Sequence, residues 1–130
     1  MDKLQLEATK STPEVQFDSG TGILTITGQS YPENAFKFYE PLFEWMDNYL
    51  ARVQTSTVVT FKLQMPYINT SSMKCLMMLL EKLDDAFENG KHIQVVWQCA
   101  KDNESEIECA EEFMEDLRLP FNILLVDEAL

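Results

Sequence analysis

The sequence predicts an α/β fold in which three main helices pack on a mixed β-sheet of about five strands. Short segments rich in Val, Ile and Phe have the composition of β-strands. Longer segments between them place apolar residues every three or four positions, as amphipathic helices do. Along the 130 residues these segments follow the order β-β-α-β-α-β-α-β. Strand–helix–strand connections of this kind favour parallel, right-handed crossovers.

The first two strands are predicted to form a hairpin. Val15 and Phe17 mark the first strand, and residues 23–26 mark the second. Residues 18–22 between them, Asp-Ser-Gly-Thr-Gly, are a strong turn signal. Residues 1–12 are polar and are expected to be a flexible N-terminal segment, with residues 13–130 as a single domain.

The first predicted helix covers residues 35–52. Pro41 lacks a backbone N–H, so it should either begin the main helix or kink a longer one. The helix has more aromatic residues than one stripe needs. They either pack on the sheet and a neighbouring helix or form a patch that faces a partner.

The second predicted helix covers residues 70–88 and follows a strand at residues 57–63. Its apolar stripe comprises Met73, Leu76, Met77, Leu80, Leu83 and Phe87. The next strand, residues 92–99, is apolar almost without interruption from Ile93 to Trp97, which predicts burial on both faces.

The last helix is predicted at residues 104–117 and the last strand at residues 120–126. The expected inner face of this helix is Ile107, Ala110, Phe113, Met114 and Leu117. The expected outer, solvated face is acidic and comprises Glu104, Glu106, Glu108, Glu111, Glu112, Glu115 and Asp116.

The charge and the hydropathy of the chain exclude several classes of partner. A net charge of −12 repels nucleic acid and anionic lipid. No apolar run approaches the roughly 20 residues that span a bilayer, and the N-terminus does not resemble a signal peptide. We therefore expect a cytoplasmic protein with neither nucleic acid nor membrane as a partner.

Residues for catalysis or metal binding are scarce. The three cysteines are widely spaced and the single histidine, His92, has no ligand cluster around it, so no metal site or cofactor is expected. Glu111 and Glu112 are neighbours that point to different sides of a helix, and no nucleophile accompanies them. The sequence therefore predicts a protein that is not an enzyme and has no small-molecule substrate.

The junction at residues 67–73, Tyr-Ile-Asn-Thr-Ser-Ser-Met, is the most informative segment. Three hydroxyl residues begin with Thr70, where a buried strand gives way to an apolar helix. Free N–H groups and the helix dipole favour an anion there, which suits a phosphorylation switch. An ordinary helix N-cap explains the same residues without any function.

The second helix is also apolar outside its stripe, at Cys75, Met78 and Leu79. One interpretation is burial between the sheet and the first helix. The other is a docking surface rich in methionine, whose flexible side chains adapt to a partner.

Several motifs together resemble those of a known family. They are Ser11-Thr12-Pro13, the Ser-Tyr-Pro-Glu-Asn motif at residues 30–34, the junction up to Lys74, the helix end Asn89-Gly90 and residues 110–113. With the order of elements, they resemble the STAS domain of anti-sigma-factor antagonists and, more closely, the STAS-like SiaC-family regulatory phosphoproteins. The segment Asn69 to Ser72 lacks the Asp and Gly that the antagonists typically have at this junction, which favours the SiaC-like branch.

The resemblance implies a bacterial partner switch in cyclic di-GMP and biofilm control. Its members are phosphorylated by a protein kinase and dephosphorylated by a PP2C-type phosphatase, and the unphosphorylated form activates an effector, a diguanylate cyclase. The phosphorylated residue maps to Thr70, with Ser71 as the fallback. The alternative is an anti-sigma-antagonist-type or scaffold module with a different effector. The residues expected to bind partners are Asn69, Thr70, Ser71, Ser72, Met73, Met77, Met78 and Tyr31.

Overall fold

The computed structural model describes residues 2–127, in which three helices pack on one six-stranded sheet. The strands are β1 (Leu4–Leu6), β2 (Glu14–Asp18), β3 (Ile23–Thr27), β4 (Val58–Gln64), β5 (His92–Ala100) and β6 (Phe121–Val126). The helices are α1 (Ala35–Arg52), α2 (Thr70–Glu88) and α3 (Glu104–Glu115). The strands lie side by side in chain order, antiparallel from β1 to β3 and parallel from β3 to β6.

All three helices lie on the same face of the sheet. Each helix connects two neighbouring parallel strands, and the three connections advance across the sheet in the same direction. Right-handed crossovers therefore place all three helices on one side of the sheet. Side chains that face the helices are buried, among them Phe61 and Trp97. Side chains that alternate with them, such as Lys62 and Gln98, are exposed. The opposite face of the sheet is therefore open.

The predicted order of elements is confirmed, and the structure adds one strand at the N-terminus. Strand β1 lies inside the segment expected to be flexible and pairs with β2 from Leu4 opposite Phe17 to Leu6 opposite Val15. The indole Nε1 of Trp45 also donates a 2.8 Å hydrogen bond to the carbonyl of Asp2. A three-residue edge strand is too short for alternation in the sequence to reveal it.

Two predictions about burial were wrong. Strand β5 alternates between buried and less buried residues, because helices cover only one face of the sheet. In α3, Glu106 is buried although it was placed on the outer face, and Met114 is exposed although it was placed on the inner face. A pattern of helical spacing alone misses polar residues that have a partner inside the protein.

Every helix begins with an asparagine cap. The side-chain oxygens of Asn34, Asn69 and Asn103 accept hydrogen bonds from the amides three residues later, at 3.1, 2.9 and 3.1 Å. Pro41 lies within a continuous α1 and does not begin it. None of the helices described is long and apolar enough to cross a membrane.

Candidate functional site

Thr70 is the first residue of α2, and its side chain is exposed. The cap residue Asn69 accepts from the amide of Ser72 through its side chain and from the amide of Met73 through its carbonyl, both at 2.9 Å. Within residues 2–127, the amides of Thr70 and Ser71 have no such acceptor. The first turn also contains no acidic side chain. The surface around Thr70 is therefore one that tolerates an added negative charge.

The three hydroxyl residues of the junction have different environments. Thr70 and Ser71 are exposed, whereas Ser72 is fully buried. The hydroxyl of Ser30 donates a 2.8 Å hydrogen bond to that of Ser72 and lies 2.8 Å from the hydroxyl of Tyr39. Ser72 was expected among the partner-binding residues. Its side chain instead belongs to this internal chain of hydroxyls and does not reach the surface.

The junction is attached on one side to the loop after β3. The amide of Ser30 donates to the carbonyl of Tyr67 and its carbonyl accepts from the amide of Asn69, each at 2.9 Å. These bonds form a parallel bridge between Ser30 and Ile68. Burial of the nearby Tyr39 phenol raises its pKa to about 12, so it stays protonated as a hydrogen-bond donor.

The residues just before the junction are attached to the start of α3. Asn103 Nδ2 donates to the carbonyl of Pro66 at 3.2 Å. Glu106 Oε2 accepts from the amide of Met65 at 3.1 Å and from the indole of Trp97 at 3.4 Å. Burial raises the pKa of the Glu106 carboxyl, and the hydrogen bonds it accepts oppose that rise.

Glu106 is a residue of the site that the sequence interpretation missed. A signal for it was present, because Asn103 and Glu106 have the spacing of a helix cap and its third helical residue, where Glu is frequent. Here the carboxylate does not turn back to its own cap. It reaches the chain just after β4 instead and fixes Met65, two residues before the junction.

Aromatic and methionine side chains surround Thr70. The rings of Tyr31 and Tyr67 contact each other edge to face at 6.0 Å, and Tyr67 is 54% exposed. Met73 and Met77 are half-buried and line a gap between α2 and α3. Met78 is exposed but does not line this gap, so the structure separates it from the other two methionines.

Burial is confirmed for part of the apolar surface of α2, whereas the docking surface stays a prediction. Cys75 and Leu79 are buried in the core, and α2 packs closely on α1. The methionines remain partly accessible on the other faces.

Comparison with known proteins decides the family. The model of the SiaC family, described as a family of regulatory phosphoproteins, matches residues 6–126. The chain belongs to the SiaC family. An uncharacterised protein of Pseudomonas aeruginosa strain UCBPP-PA14 is 37% identical over 128 residues, which are 98% of this chain and 100% of that protein.

Solved structures of the SiaC family share the fold. SiaC of Pseudomonas aeruginosa superposes with a TM-score of 0.90 at 34% identity, covering 97% of this chain and 100% of that one. SiaC in a crystal structure with the diguanylate cyclase SiaD, of which it is the activator, gives a TM-score of 0.89 at 36% identity. That match covers 95% of this chain and 99% of that one.

The structure places part of the predicted site at one position in the fold. Among residues 2–127, no three His, Cys, Asp or Glu side chains come together in a way that could hold a metal ion. Of the residues predicted from the sequence, the structure brings Asn69, Thr70 and Ser71 together at the start of α2. Tyr31 is beside them through its contact with Tyr67.

Proposed function

We propose that this protein is a non-enzymatic partner-switch regulator of the bacterial cytoplasm. A protein kinase phosphorylates Thr70, and a PP2C-type phosphatase removes the phosphate. The unphosphorylated form binds and activates an effector, a diguanylate cyclase, and so controls cyclic di-GMP. Membership of a family of regulatory phosphoproteins supports this function, as does the structure of a relative in complex with the cyclase that it activates.

The exposed hydroxyl of Thr70 at the start of α2 is the observation that carries the proposal. A modifying enzyme needs an accessible hydroxyl and a backbone that accepts the new charge. Thr70 meets both conditions, because the first turn has no acidic side chain. Ser71 is also exposed and is the fallback, whereas buried Ser72 is out of reach.

The phosphate acts on the apolar surface next to Thr70. It adds about −1.5 to −2 charges beside the exposed ring of Tyr67 and the half-buried Met73. In an apolar contact, this charge loses water without gaining a partner, which costs roughly several kcal/mol. Binding of the effector is then weakened by orders of magnitude. An Arg or Lys of the kinase or phosphatase can instead pair with the same phosphate.

Titration calorimetry with phosphomimetic variants tests the switch. The partner is the diguanylate cyclase of the same organism that most resembles SiaD. We expect Thr70→Asp and Thr70→Glu to lower the affinity for the cyclase, and Thr70→Ala to keep it largely unchanged. Ser71→Glu tests the fallback position, and Thr70→Gln is the uncharged control, which should also keep the affinity. Equal affinities of Thr70→Glu and Thr70→Ala would overturn the switch.

Intact-mass measurement identifies the modified residue. Protein isolated from its native host is compared before and after phosphatase treatment and then digested. A mass increase of one phosphate group that maps to Thr70 supports the proposal. A shift that maps to Ser71 moves the switch to the fallback residue, and protein without phosphate under every growth condition favours a scaffold role.

A further inference from the structure

The two edges of the sheet differ in how they are protected from pairing with another chain. Proteins usually shield the unpaired backbone groups of an edge strand with a short strand, charged side chains, proline or a bulge. Strand β1 follows this rule, because it has only three residues and the adjacent Lys3 pairs with Asp18 at 3.6 Å. Strand β6 has six residues at the opposite edge, and none of them is charged or a proline. Of the two edges, β6 is therefore the one open to a further strand.

Alternate residues of β6 direct their backbone N–H and C=O groups away from the sheet. The carbonyls of Pro120 and Val126 accept hydrogen bonds from β5 and from the residue that follows it, at 2.9 and 2.8 Å. Because the hydrogen-bonding direction alternates along a strand, the backbone groups of Phe121, Ile123 and Leu125 point outward. In the described part of the chain, nothing is hydrogen-bonded to the amides or carbonyls of these three residues.

The side chains along this edge are apolar. Leu124 is 46% exposed on the open face of the sheet, and Leu125 is 57% exposed on the face that carries the helices. Helix α3 packs on β6 but leaves Leu125 uncovered. The chain as a whole carries a net charge of −12, so two copies repel each other over most of their surface. The uncharged β6 is a strip along which they can approach.

We propose that β6 pairs with β6 of a second copy of this chain, antiparallel and about a twofold axis. With Ile123 on the axis, Phe121 of each copy lies opposite Leu125 of the other, so outward-facing residues meet each other. The three residue pairs then exchange two hydrogen bonds each. This is the register in which every outward-facing residue of β6 finds a partner, and it makes the edge complementary to itself.

The same register also matches the side chains. On the helix-bearing face, the exposed Leu125 of one copy contacts Phe121 of the other, a half-buried ring that lies 6.3 Å from Trp97. At each end of the paired strands, Asp127 of one copy comes close to the segment of the other that contains Arg118. Both of these side chains are exposed. Their opposite charges attract, although the copies as a whole repel.

The resulting dimer is weak and leaves the helices free. Two strands of six residues form an interface smaller than the roughly 1,200 Å² of total area that stable complexes bury. We therefore expect a dissociation constant on the order of 10–100 µM. The twofold axis runs perpendicular to the sheet, so the helices and the Thr70 side chains of both copies lie on the same side of one continuous sheet.

Sedimentation equilibrium of the full chain, without any other protein, tests the pairing. We expect the average mass to rise from monomer toward dimer between about 5 and 500 µM. Leu125→Pro removes an outward-facing N–H, which an edge strand tolerates, and should weaken self-association at least tenfold. Val58→Gln is the matched control, because Val58 is 53% exposed on the open face two strands away from β6. It should leave the dissociation constant unchanged.

Disulfide cross-linking tests the register and decides the matter if Leu125→Pro fails to fold in thermal unfolding. Residues opposite each other in a hydrogen-bonded antiparallel pair have Cα atoms about 5.5 Å apart, a distance that a disulfide spans. Ile123→Cys places the new thiol on the twofold axis and should give a covalent dimer under mild oxidation. Leu125→Cys is the matched control, because its two copies lie about 14 Å apart along the strands. It should stay monomeric, as should the wild type, whose cysteines are buried or partly buried.

Three results would overturn the pairing of two copies through β6. They are a wild type that stays monomeric at about 500 µM, a dissociation constant that folded Leu125→Pro leaves unchanged, and equal weakening by Val58→Gln. A covalent dimer of Leu125→Cys without one of Ile123→Cys would overturn the register. These experiments use neither kinase nor cyclase, so their failure leaves the function proposed for Thr70 untouched.

Discussion

The hydroxyl of Ser30 donates a 2.8 Å hydrogen bond to the hydroxyl of Ser72, a residue 42 positions away in the sequence. Both side chains are fully buried, and the phenol of Tyr39 continues the chain of hydroxyls. The bond joins the loop after β3 to the first turn of α2. The position of the Thr70 backbone is thus determined partly by residues far from it in sequence.

Ser30→Ala should destabilise the protein by about 1–3 kcal/mol, because it leaves the buried hydroxyls of Ser72 and Tyr39 without this partner. Urea unfolding followed by circular dichroism measures the loss. Ser71→Ala removes an exposed hydroxyl from the same turn and should change stability by less than about 0.5 kcal/mol. Equal losses in the two variants would contradict the role of the buried chain.

Glu106→Ala should lower stability by about 2–4 kcal/mol, because the amide of Met65 and the indole of Trp97 lose a buried acceptor. The loss should depend on pH. Burial raises the pKa of Glu106 in the folded state above its ordinary 4.5, so the contribution of this carboxyl is complete below that value. It declines as the pH rises through the raised pKa.

The gap in unfolding free energy between the wild type and Glu106→Ala should therefore narrow from pH 5 to pH 8 in urea titrations. Glu106→Gln keeps an acceptor oxygen but cannot titrate. The difference between Glu106→Gln and Glu106→Ala should consequently stay constant over the same range. A gap that widens with pH would show that the carboxyl is stabilised in its charged form.

Thr70→Glu should leave the fold intact and stabilise it by about 0.3–1 kcal/mol, because a negative charge at a helix N-terminus is favourable. Thermal unfolding at low salt measures the gain, which should shrink in 1 M NaCl. Thr70→Gln is the uncharged control of similar shape. A loss of more than about 1 kcal/mol in Thr70→Glu would mean that the charge perturbs the fold and not only the adjacent surface.

The thiols of the native protein should react slowly with Ellman's reagent at pH 8. Burial raises the pKa of Cys99 to about 12 and that of Cys109 to about 11, and it also raises the pKa of Cys75. Little thiolate, the reactive form, is then present. In 6 M guanidinium chloride all three cysteines should react rapidly. If one thiol of the folded protein reacted rapidly, that thiol would lie in a more open environment.

Much of the fold could be predicted from the sequence because its elements are strongly periodic. The stripe from Met73 to Phe87 predicted a helix at residues 70–88, which are the bounds of α2. The hairpin was equally clear, because Asp18 to Gly22 form a turn between two short apolar runs. Local pattern and tertiary structure agree at these positions.

The errors arose where a residue's partner lies far along the chain. The burial of Glu106 depends on Met65 and Trp97, and the burial of Ser72 depends on Ser30. Helical spacing describes which way a side chain points but not which polar groups it meets there. The gap between α2 and α3 was also not predictable, because it depends on how far apart the sheet holds these two helices.

The uncovered face of the sheet has a practical consequence for experiments on this protein. A dye attached there, for instance through Gln98→Cys, would sit across the sheet from Thr70 and from the helices. Because Cys75 and Cys99 are buried and Cys109 is partly buried, labelling should favour the introduced position. Such a conjugate would report complex formation through slower tumbling, while the dye stays clear of the surface where the effector is proposed to bind.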